Sequence, residues 1–323
     1  MAKAVRIHTA GGPENMVFED VQVGAPGPGE VRIKQDFCGL NYIDVYHRTG
    51  LYPLELPSAI GLEAAGVVEA IGDGVTELAV GDRVAYAAPP VGAYATERLM
   101  PWHRLIKLPD SISNEAAAGM MLQGMTVEYL IRRTYPVQPG DTVLFQAAAG
   151  GVGLIACQWL KQIGATVIGT AGSPEKAALA KAHGCDHVIL YGQEDVAKRV
   201  REITDGAGVP VVYDGVGAAT VDGSLDSLRP RGMFVSFGNA SGPIQNFNLG
   251  TLSAKGSLFM TRPTLMTYTA SREDLVESST ALFDAYAKGL KIEINQRYAL
   301  ADVVQAHKDL EARKTTGSTL LVV

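Results

Sequence analysis

The chain has 323 residues, more than a single hydrophobic core comfortably serves, which predicts one large domain or two ordinary ones. A hydrophobic fraction of 47% with a charged fraction of 19% excludes a disordered chain. The net charge of −6, without any cluster of Lys and Arg, disfavours a nucleic-acid partner.

The three cysteines are Cys38, Cys157 and Cys185. An odd, widely spaced set matches neither a disulfide framework nor a zinc knuckle and suits a reducing compartment. The first residues lack the apolar segment of a signal peptide. Residues 142–160 are uncharged but contain glycines and glutamines, so they divide into a strand, a turn and a helix better than they form a membrane span. We therefore expect a cytoplasmic protein.

Residues 1–120 predict a β-rich domain. Val31–Phe37 alternates apolar and polar residues with the period of a half-buried strand. Gly66–Ile71 and Gly81–Tyr86 predict further short strands between turn residues. Glu115–Tyr129 is rich in Ala and Met and predicts one buried helix.

From residue 140 the pattern becomes that of an α/β domain, with continuous apolar runs separated by helical patterns. Such runs predict a parallel sheet covered on both faces, here a six-stranded doubly wound sheet. The runs begin near Val143, Thr166, His187, Val211, Met233 and Ser257. Beyond Arg262 we expect a helix, a strand, a second helix and a closing strand, over Arg272–Lys288, Lys291–Tyr298, Ala301–Glu311 and Gly317–Val323.

The first of these strands is followed by Gly-x-Gly-x-x-Ala at Gly151, Gly153 and Ala156, directly before a helical pattern. The first glycine permits a tight turn, the second lets backbone approach a pyrophosphate, and the alanine lets the helix pack on the sheet. The helix N-terminus would then hold the anion. Strand, spacing and helix agree, which favours dinucleotide binding over a merely structural turn.

The end of the second strand distinguishes NADPH from NADH. No acidic residue stands where an NAD site places one for the ribose. Ser173 and Pro174 predict a capped helix whose first turn contains Lys176. A cation there opposes the helix dipole unless it binds a 2′-phosphate, so we infer NADPH; the alternative is an ordinary surface lysine.

Over essentially its whole length the chain resembles the zinc-free quinone oxidoreductases of the medium-chain dehydrogenase/reductase superfamily, which include zeta-crystallin. The resemblance rests on the glycine turn and on these further segments: Gly11–Glu14, Asn41–Asp44, Arg48–Pro53, Gly61–Gly66, Val212–Asp214, Val216–Gly217 and Ser236–Asn239. Bacterial members are the most similar. It implies a GroES-like catalytic domain formed by residues 1–124 and 263–323, and a Rossmann domain formed by residues 125–262.

The departure from zinc alcohol dehydrogenases predicts a reaction without metal. Asn41 stands where the zinc branch has a cysteine ligand, and Leu62 stands where it has a histidine. Leucine cannot coordinate, and neutral asparagine is a poor substitute for a thiolate. The lost metal disfavours alcohol oxidation and favours hydride delivery to an electron-poor quinone.

The resemblance also implies NADPH contacts at a set of matching positions. The positions, which include the glycine turn, are Asn41, Thr126, Gly150, Gly151, Val152, Gly153, Gly172, Ser173, Lys176, Tyr191, Phe237, Gly238, Asn239, Ser241, Arg262 and Gly317, with Ser318 as the alternative to Gly317. Arg262 has the alternative of a domain-interface residue. A homodimer through the last strand of the sheet, Lys255–Thr261, is implied as well.

For catalysis we expect Asn41 to donate a hydrogen bond to the quinone oxygen, with Tyr46 and Tyr52 as stacking surfaces or proton donors. Packing is the alternative role for both tyrosines. The alternative activity is an NADPH-dependent enone or alkenal reductase, with the same fold and cofactor. A structural or RNA-binding role, as some relatives have, is disfavoured by the negative charge and the complete cofactor motif.

Overall fold

The computed structural model describes all residues from Met1 to Val323. The chain divides into two compact units. The first unit comprises Met1–Met125, Thr269–Thr280 and Ile292–Val323, and the second unit comprises Thr126–Tyr268 and Ala281–Lys291. None of the helices combines the length and the apolar character that crossing a bilayer requires.

The strands and helices alternate regularly only in the second unit. The strands are β1 (Ala2–Ile7), β2 (Met16–Val21), β3 (Glu30–Leu40), β4 (Ser58–Ala59), β5 (Glu63–Ile71), β6 (Arg83–Ala87), β7 (Glu97–Pro101), β8 (Ile106–Lys107), β9 (Thr142–Phe145), β10 (Thr166–Ala171), β11 (His187–Leu190), β12 (Val209–Asp214), β13 (Leu228–Ser236), β14 (Phe259–Thr261), β15 (Ile294–Ala299) and β16 (Ser318–Val322). The helices are α1 (Tyr42–Thr49), α2 (Asn114–Ala118), α3 (Met121–Tyr129), α4 (Gly151–Ile163), α5 (Pro174–Ala182), α6 (Val196–Ile203), α7 (Val221–Asp226), α8 (Gly250–Ala254), α9 (Leu265–Tyr268), α10 (Arg272–Ala287) and α11 (Val303–Glu311). A π-helical turn, Leu130–Thr134, extends α3.

The first unit contains two sheets. One has the order β2-β1-β4, and the other has the order β15-β16-β3-β5-β6-β8, with β7 also paired to β3. The alternation in β3 buries Val31 and Ile33 in the core of this unit. The closing strand β16 pairs antiparallel with β3, for example Leu321 with Cys38, so the C-terminal segment completes the sheet that the N-terminal segment begins.

The second unit is a parallel sheet with the order β11-β10-β9-β12-β13-β14. The predicted six-stranded doubly wound sheet is therefore confirmed. The chain reverses its direction of winding between β9 and β12, and ligands of such sheets bind beyond the carboxyl ends of the strands at that point. Its strands read as continuous apolar runs because both faces are buried; Val143 and Leu144 in β9 have no exposed surface.

The single helix predicted over Glu115–Tyr129 is wrong, because the structure has α2 and α3 with a break at Gly119 and Met120. In a continuous helix the Leu122 amide would donate to the carbonyl four residues earlier. It donates instead to a carboxylate oxygen of Glu63 at 2.8 Å. The break thus creates a second helix N-terminus inside the first unit.

The predicted last strand over Lys255–Thr261 is too long. Its first half follows α8 in a turn in which Gly256 has φ +114° and Ser257 has φ +56°. Backbone in the left-handed region cannot continue an extended strand. Only Phe259–Thr261 pairs with the sheet.

Candidate functional site

The turn between β9 and α4 approaches the helix closely. Gly150 is the N-cap residue of α4, with extended φ and ψ. A Cβ added to Gly153 would lie 2.5 Å from the Ala147 carbonyl oxygen and 2.7 Å from the Ala148 backbone. Those neighbours are main-chain atoms, which have little freedom to move. Glycine at residue 153 is therefore a steric requirement of the turn.

The N-terminus of α4 is available to an anion. No side chain caps it, and its first turn contains Gly151, Val152 and Gly153, with no acidic residue. The first amides of a helix have no partner within the helix, and the helix dipole places positive charge there. An uncapped N-terminus at the reversal point of a parallel sheet is suited to a phosphate group.

A buried polar network supports this turn, and the sequence analysis assigned it no role. The Thr170 hydroxyl accepts from the Ala147 amide at 3.0 Å and donates to the Gln146 side-chain oxygen at 2.7 Å. Gln146 donates to Ser224 at 2.9 Å, and Ser224 donates to Asp214 at 2.7 Å. Gln146, Thr170 and Asp214 lie at the carboxyl ends of neighbouring strands. In the sequence each is a polar residue at the end of an apolar run, and that pattern could have predicted the network.

Four predicted residues gather near the end of β10. Ser173 is the N-cap of α5, and its hydroxyl accepts from the Lys176 amide at 3.3 Å. A Cβ on Gly172 would lie 2.5 Å from the Tyr191 hydroxyl, so that ring closely approaches the backbone there. Tyr191 is 48% exposed, which leaves much of its surface accessible to a ligand.

The loops after β12 and β13 form the next part of the site. A Cβ on Gly238 would lie 2.4 Å from the Gly215 carbonyl oxygen, so the two loops are in direct contact. Ser241 binds across them by donating to the Val216 carbonyl oxygen at 2.8 Å. The Phe237 ring, 5.8 Å from Phe145, packs over the same loop.

Three of the predicted cofactor residues lie outside the contacts just described at the glycine turn, the end of β10 and the loops after β12 and β13. Arg262 is exposed and donates to the Ser236 carbonyl oxygen at 3.1 Å. Thr126 is buried within α3. Gly317 precedes β16 in the first unit with φ +59°, and a Cβ there would lie 2.3 Å from the Glu293 carbonyl oxygen. The backbone conformation and the close Glu293 carbonyl thus explain a glycine at residue 317 without any cofactor contact.

In the first unit, Asn41 belongs to a buried polar cluster drawn from four separate segments. The Asn41 side-chain amide donates to Glu63 Oε2 at 2.6 Å, and its oxygen accepts from Gln123 Nε2 at 3.3 Å. The Gln123 oxygen accepts from the Ser318 hydroxyl at 2.9 Å. Glu63 also accepts from the Leu122 amide at the start of α3. We call Asn41, Glu63, Gln123 and Ser318 the amide cluster.

Burial dominates the electrostatics of this region. It raises the pKa of Glu63 to about 8, against the opposing effect of the Leu122 and Asn41 donors. It raises the pKa of Asp44 to about 7, although that carboxylate accepts from the Tyr94 hydroxyl and from the backbone N–H of Asn41. Both groups therefore titrate close to neutral pH.

The tyrosines predicted to act on the substrate lie on and just after α1, which a capping box between Asn41 and Asp44 begins. The rings of Tyr46 and Tyr52 meet edge to face with centroids 5.2 Å apart. Tyr46 is 7% exposed, whereas Tyr52 is half-buried. The Tyr46 ring is thus used mostly in packing, whereas the Tyr52 ring has more surface that a ligand can reach.

No group of three or more His, Cys, Asp and Glu side chains is arranged to hold a metal ion. At the two positions compared with zinc ligands, Leu62 is buried and has no donor atom, and the Asn41 amide points at Glu63. The three cysteines are free and buried.

Two family models match the chain. The alcohol dehydrogenase GroES-like domain matches residues 27–110, and the zinc-binding dehydrogenase matches residues 151–280. The chain is also 53% identical to the quinone oxidoreductase of Pseudomonas aeruginosa, over 100% of both chains. The chain belongs to the quinone oxidoreductase family. Both the predicted family and the predicted fold class are confirmed.

Two other members bear on the reaction. The structure of the Escherichia coli quinone oxidoreductase complexed with NADPH has a TM-score of 0.98 and 46% identity, covering 99% of this chain and 100% of that one. A 2-haloacrylate reductase of Burkholderia is 47% identical, over 100% of this chain and 99% of the relative. Proteins similar to this chain over its whole length thus include one named as a quinone oxidoreductase and one named as a 2-haloacrylate reductase.

Proposed function

We propose that this chain is an NADPH-dependent reductase that transfers hydride to a quinone. The observation that supports it most is the uncapped N-terminus of α4 beside a glycine-lined turn, where the sheet reverses its winding. Similarity over the full length to quinone oxidoreductases, one of them complexed with NADPH, supports the same cofactor and acceptor.

The residues present fit a dinucleotide. The α4 amides of Gly151–Gly153 would hold the pyrophosphate, because a turn without side chains lets its oxygens reach the backbone. Ser173 and Lys176 would hold the 2′-phosphate, with Tyr191 beside the adenosine. Phe237 and the residues Gly238, Asn239 and Ser241 would line the nicotinamide end. We assign these roles to residues 125–262, and substrate contacts to residues 1–124 and 263–323.

The chemistry that NADPH supplies is a hydride, which carries two electrons to the acceptor. The quinone then becomes the hydroquinone monoanion, and one proton from water or a hydroxyl completes the hydroquinone. The chain's own contribution is to orient the acceptor and to stabilise the charge that develops on its oxygen. Asn41 would donate to that oxygen, and Tyr46 and Tyr52 would form the aromatic side of the pocket.

We propose that the reaction proceeds without a metal. Although one matching model describes zinc-binding dehydrogenases, leucine at residue 62 offers no donor atom. An asparagine amide that faces a carboxylate presents hydrogen to its surroundings, which is the wrong polarity for a cation.

A single spectrophotometric panel tests the activity. NADPH and NADH are each supplied with 1,4-benzoquinone, a short enal and 2-chloroacrylate. We expect the largest kcat/KM for NADPH with the quinone. The 2-haloacrylate reductase makes double-bond reduction the second candidate, and turnover with chloroacrylate but not with quinone would establish it instead.

The site residues are tested with three variants, Asn41→Ala, Tyr46→Phe and Tyr52→Phe. Asn41→Ala should lower kcat by about 10²-fold, the size of effect seen on removing one donor to a developing oxyanion. Loss of the tyrosine hydroxyl that donates the proton should lower kcat by about 10²-fold or more. Undiminished turnover in all three would leave cofactor and substrate positioning as the whole contribution.

We further propose a cytoplasmic homodimer joined through β14. This edge strand is short, and Phe259 on it is 58% exposed. Pairing with its twofold mate would cover the edge and continue the sheet. Sedimentation of Phe259→Lys tests this, since the variant should shift to the monomer while keeping its fold.

A further inference from the structure

The hydrogen bonds of the amide cluster all run in one direction, and only one member of the cluster can determine that direction. Asparagine and glutamine side chains both donate and accept, and a serine hydroxyl does the same. An ionised glutamate only accepts. Glu63 therefore determines which way the hydrogen bonds run along the cluster.

The direction follows from Glu63 step by step. Its Oε2 requires a donor, so the Asn41 nitrogen faces it at 2.6 Å. The Asn41 oxygen then faces the Gln123 nitrogen, and the Gln123 oxygen faces the Ser318 hydroxyl. At the far end the direction can change at little cost, because the Ser318 hydroxyl also lies 2.6 Å from the Gly119 carbonyl oxygen and can donate to either acceptor.

Glu63 itself is held firmly. Its Oε1 accepts from the Leu122 amide, which the break between α2 and α3 exposes. Gly39 lies directly against it, since a Cβ there would be 2.1 Å from Oε2. The carboxylate thus has one fixed position, with one oxygen for the helix N-terminus and one for Asn41.

Of the two hydrogens on the Asn41 side-chain nitrogen, one is used by Glu63. We propose that Glu63 is a positioning residue that orients the Asn41 amide so that its second N–H, rather than its carbonyl oxygen, faces the substrate oxygen. This role rests on the proposed quinone reduction and deepens it. It predicts a preference for ligands that accept a hydrogen bond over ligands that donate one.

The substitution Glu63→Gln should reverse the cluster without dismantling it. The side-chain oxygen of the introduced glutamine can still accept from the Leu122 amide, but its side-chain nitrogen then faces Asn41. Rotation of the Asn41 and Gln123 amides by half a turn, with the Ser318 hydroxyl donating to Gly119, would satisfy every group again. The rotation gives up the capping-box contact between the Asn41 side-chain oxygen and the Asp44 amide, but that amide keeps its second acceptor, the backbone carbonyl of Asn41 at 3.0 Å.

The test compares the unmutated protein with Glu63→Gln. At pH 9, where Glu63 is mostly ionised, we expect Glu63→Gln to keep its melting temperature and its KM for NADPH while kcat for 1,4-naphthoquinone falls by about 10²-fold. Calorimetry on the protein loaded with NADP⁺ adds a readout that needs no turnover. There the variant should bind 1,4-naphthoquinone about tenfold more weakly and 1,4-dihydroxynaphthalene more tightly than the unmutated protein does.

Two further variants serve as controls. Glu128→Gln alters another buried carboxylate, one paired with Arg132 and Arg133, and should lower the melting temperature without changing the quinone-to-hydroquinone binding ratio. If Glu63→Gln fails to fold, the double variant Asn41→Asp with Glu63→Gln restores an acceptor opposite the new nitrogen. It should fold and stay inactive.

The outcomes separate this inference from the proposed function. An unmutated protein that does not reduce quinones refutes the proposed function, and the binding ratio then decides the inference alone. A folded Glu63→Gln with unchanged kcat and binding ratio overturns the inference, as does an active double variant. Failure of the unmutated protein to bind either naphthalene compound overturns it as well.

Discussion

The glycine turn of the second unit and the amide cluster of the first unit present polar groups to ligands in different ways, one through the backbone and the other through side chains. At the turn, side chains are absent where main chain must come close, as at Gly153 and Gly238. Its dipoles belong to the backbone and point in directions that the helix imposes. In the amide cluster, every group is a side chain with two possible orientations, apart from the carboxylate of Glu63. The turn is vulnerable to added atoms, and the cluster is vulnerable to altered hydrogen-bond polarity.

The two regions also differ in how pH affects them. The network below the turn joins neutral groups to Asp214, and the α4 amides do not titrate. The first unit has two fully buried carboxyl groups, Glu63 and Asp44, whose pKa values burial raises toward neutrality. We therefore expect pH to alter substrate reduction more than NADPH binding.

The largest effect should come from adding atoms to the turn. Gly153→Val would force a side chain into the Ala147 and Ala148 main chain, so we expect NADPH affinity to fall by more than about 100-fold, with a lower melting temperature. Fluorescence titration of NADPH measures it. Gly223→Ala is the control, because nothing lies within 4 Å of the added Cβ and α7 should gain up to about 1 kcal/mol. Normal NADPH binding by Gly153→Val would contradict the backbone account.

A side chain in the first turn of α5 should affect cofactor specificity alone. Lys176→Ala should lower kcat/KM for NADPH by about 10- to 150-fold and leave the value for NADH unchanged, because one charge-assisted contact to the 2′-phosphate is lost. Lys181→Ala, in the last turn of the same helix, should alter neither value. Equal losses with both cofactors would show that Lys176 supports the helix rather than the phosphate.

The rate of quinone reduction should depend on the ionisation of Glu63. Its ionised form orients Asn41, so kcat should rise about tenfold between about pH 7 and pH 9 and stay level in Glu63→Gln. Four ionisable groups face Glu63. Burial raises the pKa of Cys38 to about 12 and those of Tyr86 and Tyr94 further, so they stay neutral, whereas Asp44 titrates nearby. If kcat still rises with pH in Asp44→Asn, the rise belongs to Glu63. If kcat still rises with pH in Glu63→Gln, Glu63 is not the cause.

The smallest effect concerns stability. In the folded state the pKa of Asp44 is about 7, above its ordinary value of 3.8, so the folded chain retains a proton that the unfolded chain releases. The free energy of unfolding should therefore fall as pH rises from about 4 to about 7, and Asp44→Asn should lack that contribution. Urea unfolding at several pH values measures it. Asp20→Asn is the control, because Lys3 lowers the pKa of that exposed carboxyl and its contribution has the opposite sign.

The parts of the molecule that depend on adjacent residues were predictable. The apolar runs predicted the parallel sheet, and Ser173 with Pro174 predicted the start of α5. The break between α2 and α3 was not, because a distant carboxylate captures the Leu122 amide. The turn at Gly256 and Ser257 was also missed, because the apolar residues 258–260 that follow it made the whole run resemble a longer strand.

Local patterns along the chain were enough to predict the doubly wound sheet and the glycine turn before its helix, because hydrophobic periodicity and glycine spacing act over a few neighbouring residues. Long-range folding alone brings Glu63, Gln123 and Ser318 together around Asn41. These side chains come from segments far apart in the chain, where burial raises the pKa of Glu63 and the choice of partners sets the direction of the hydrogen bonds. No local pattern encodes either property, because both arise from the removal of water and the choice of distant partners.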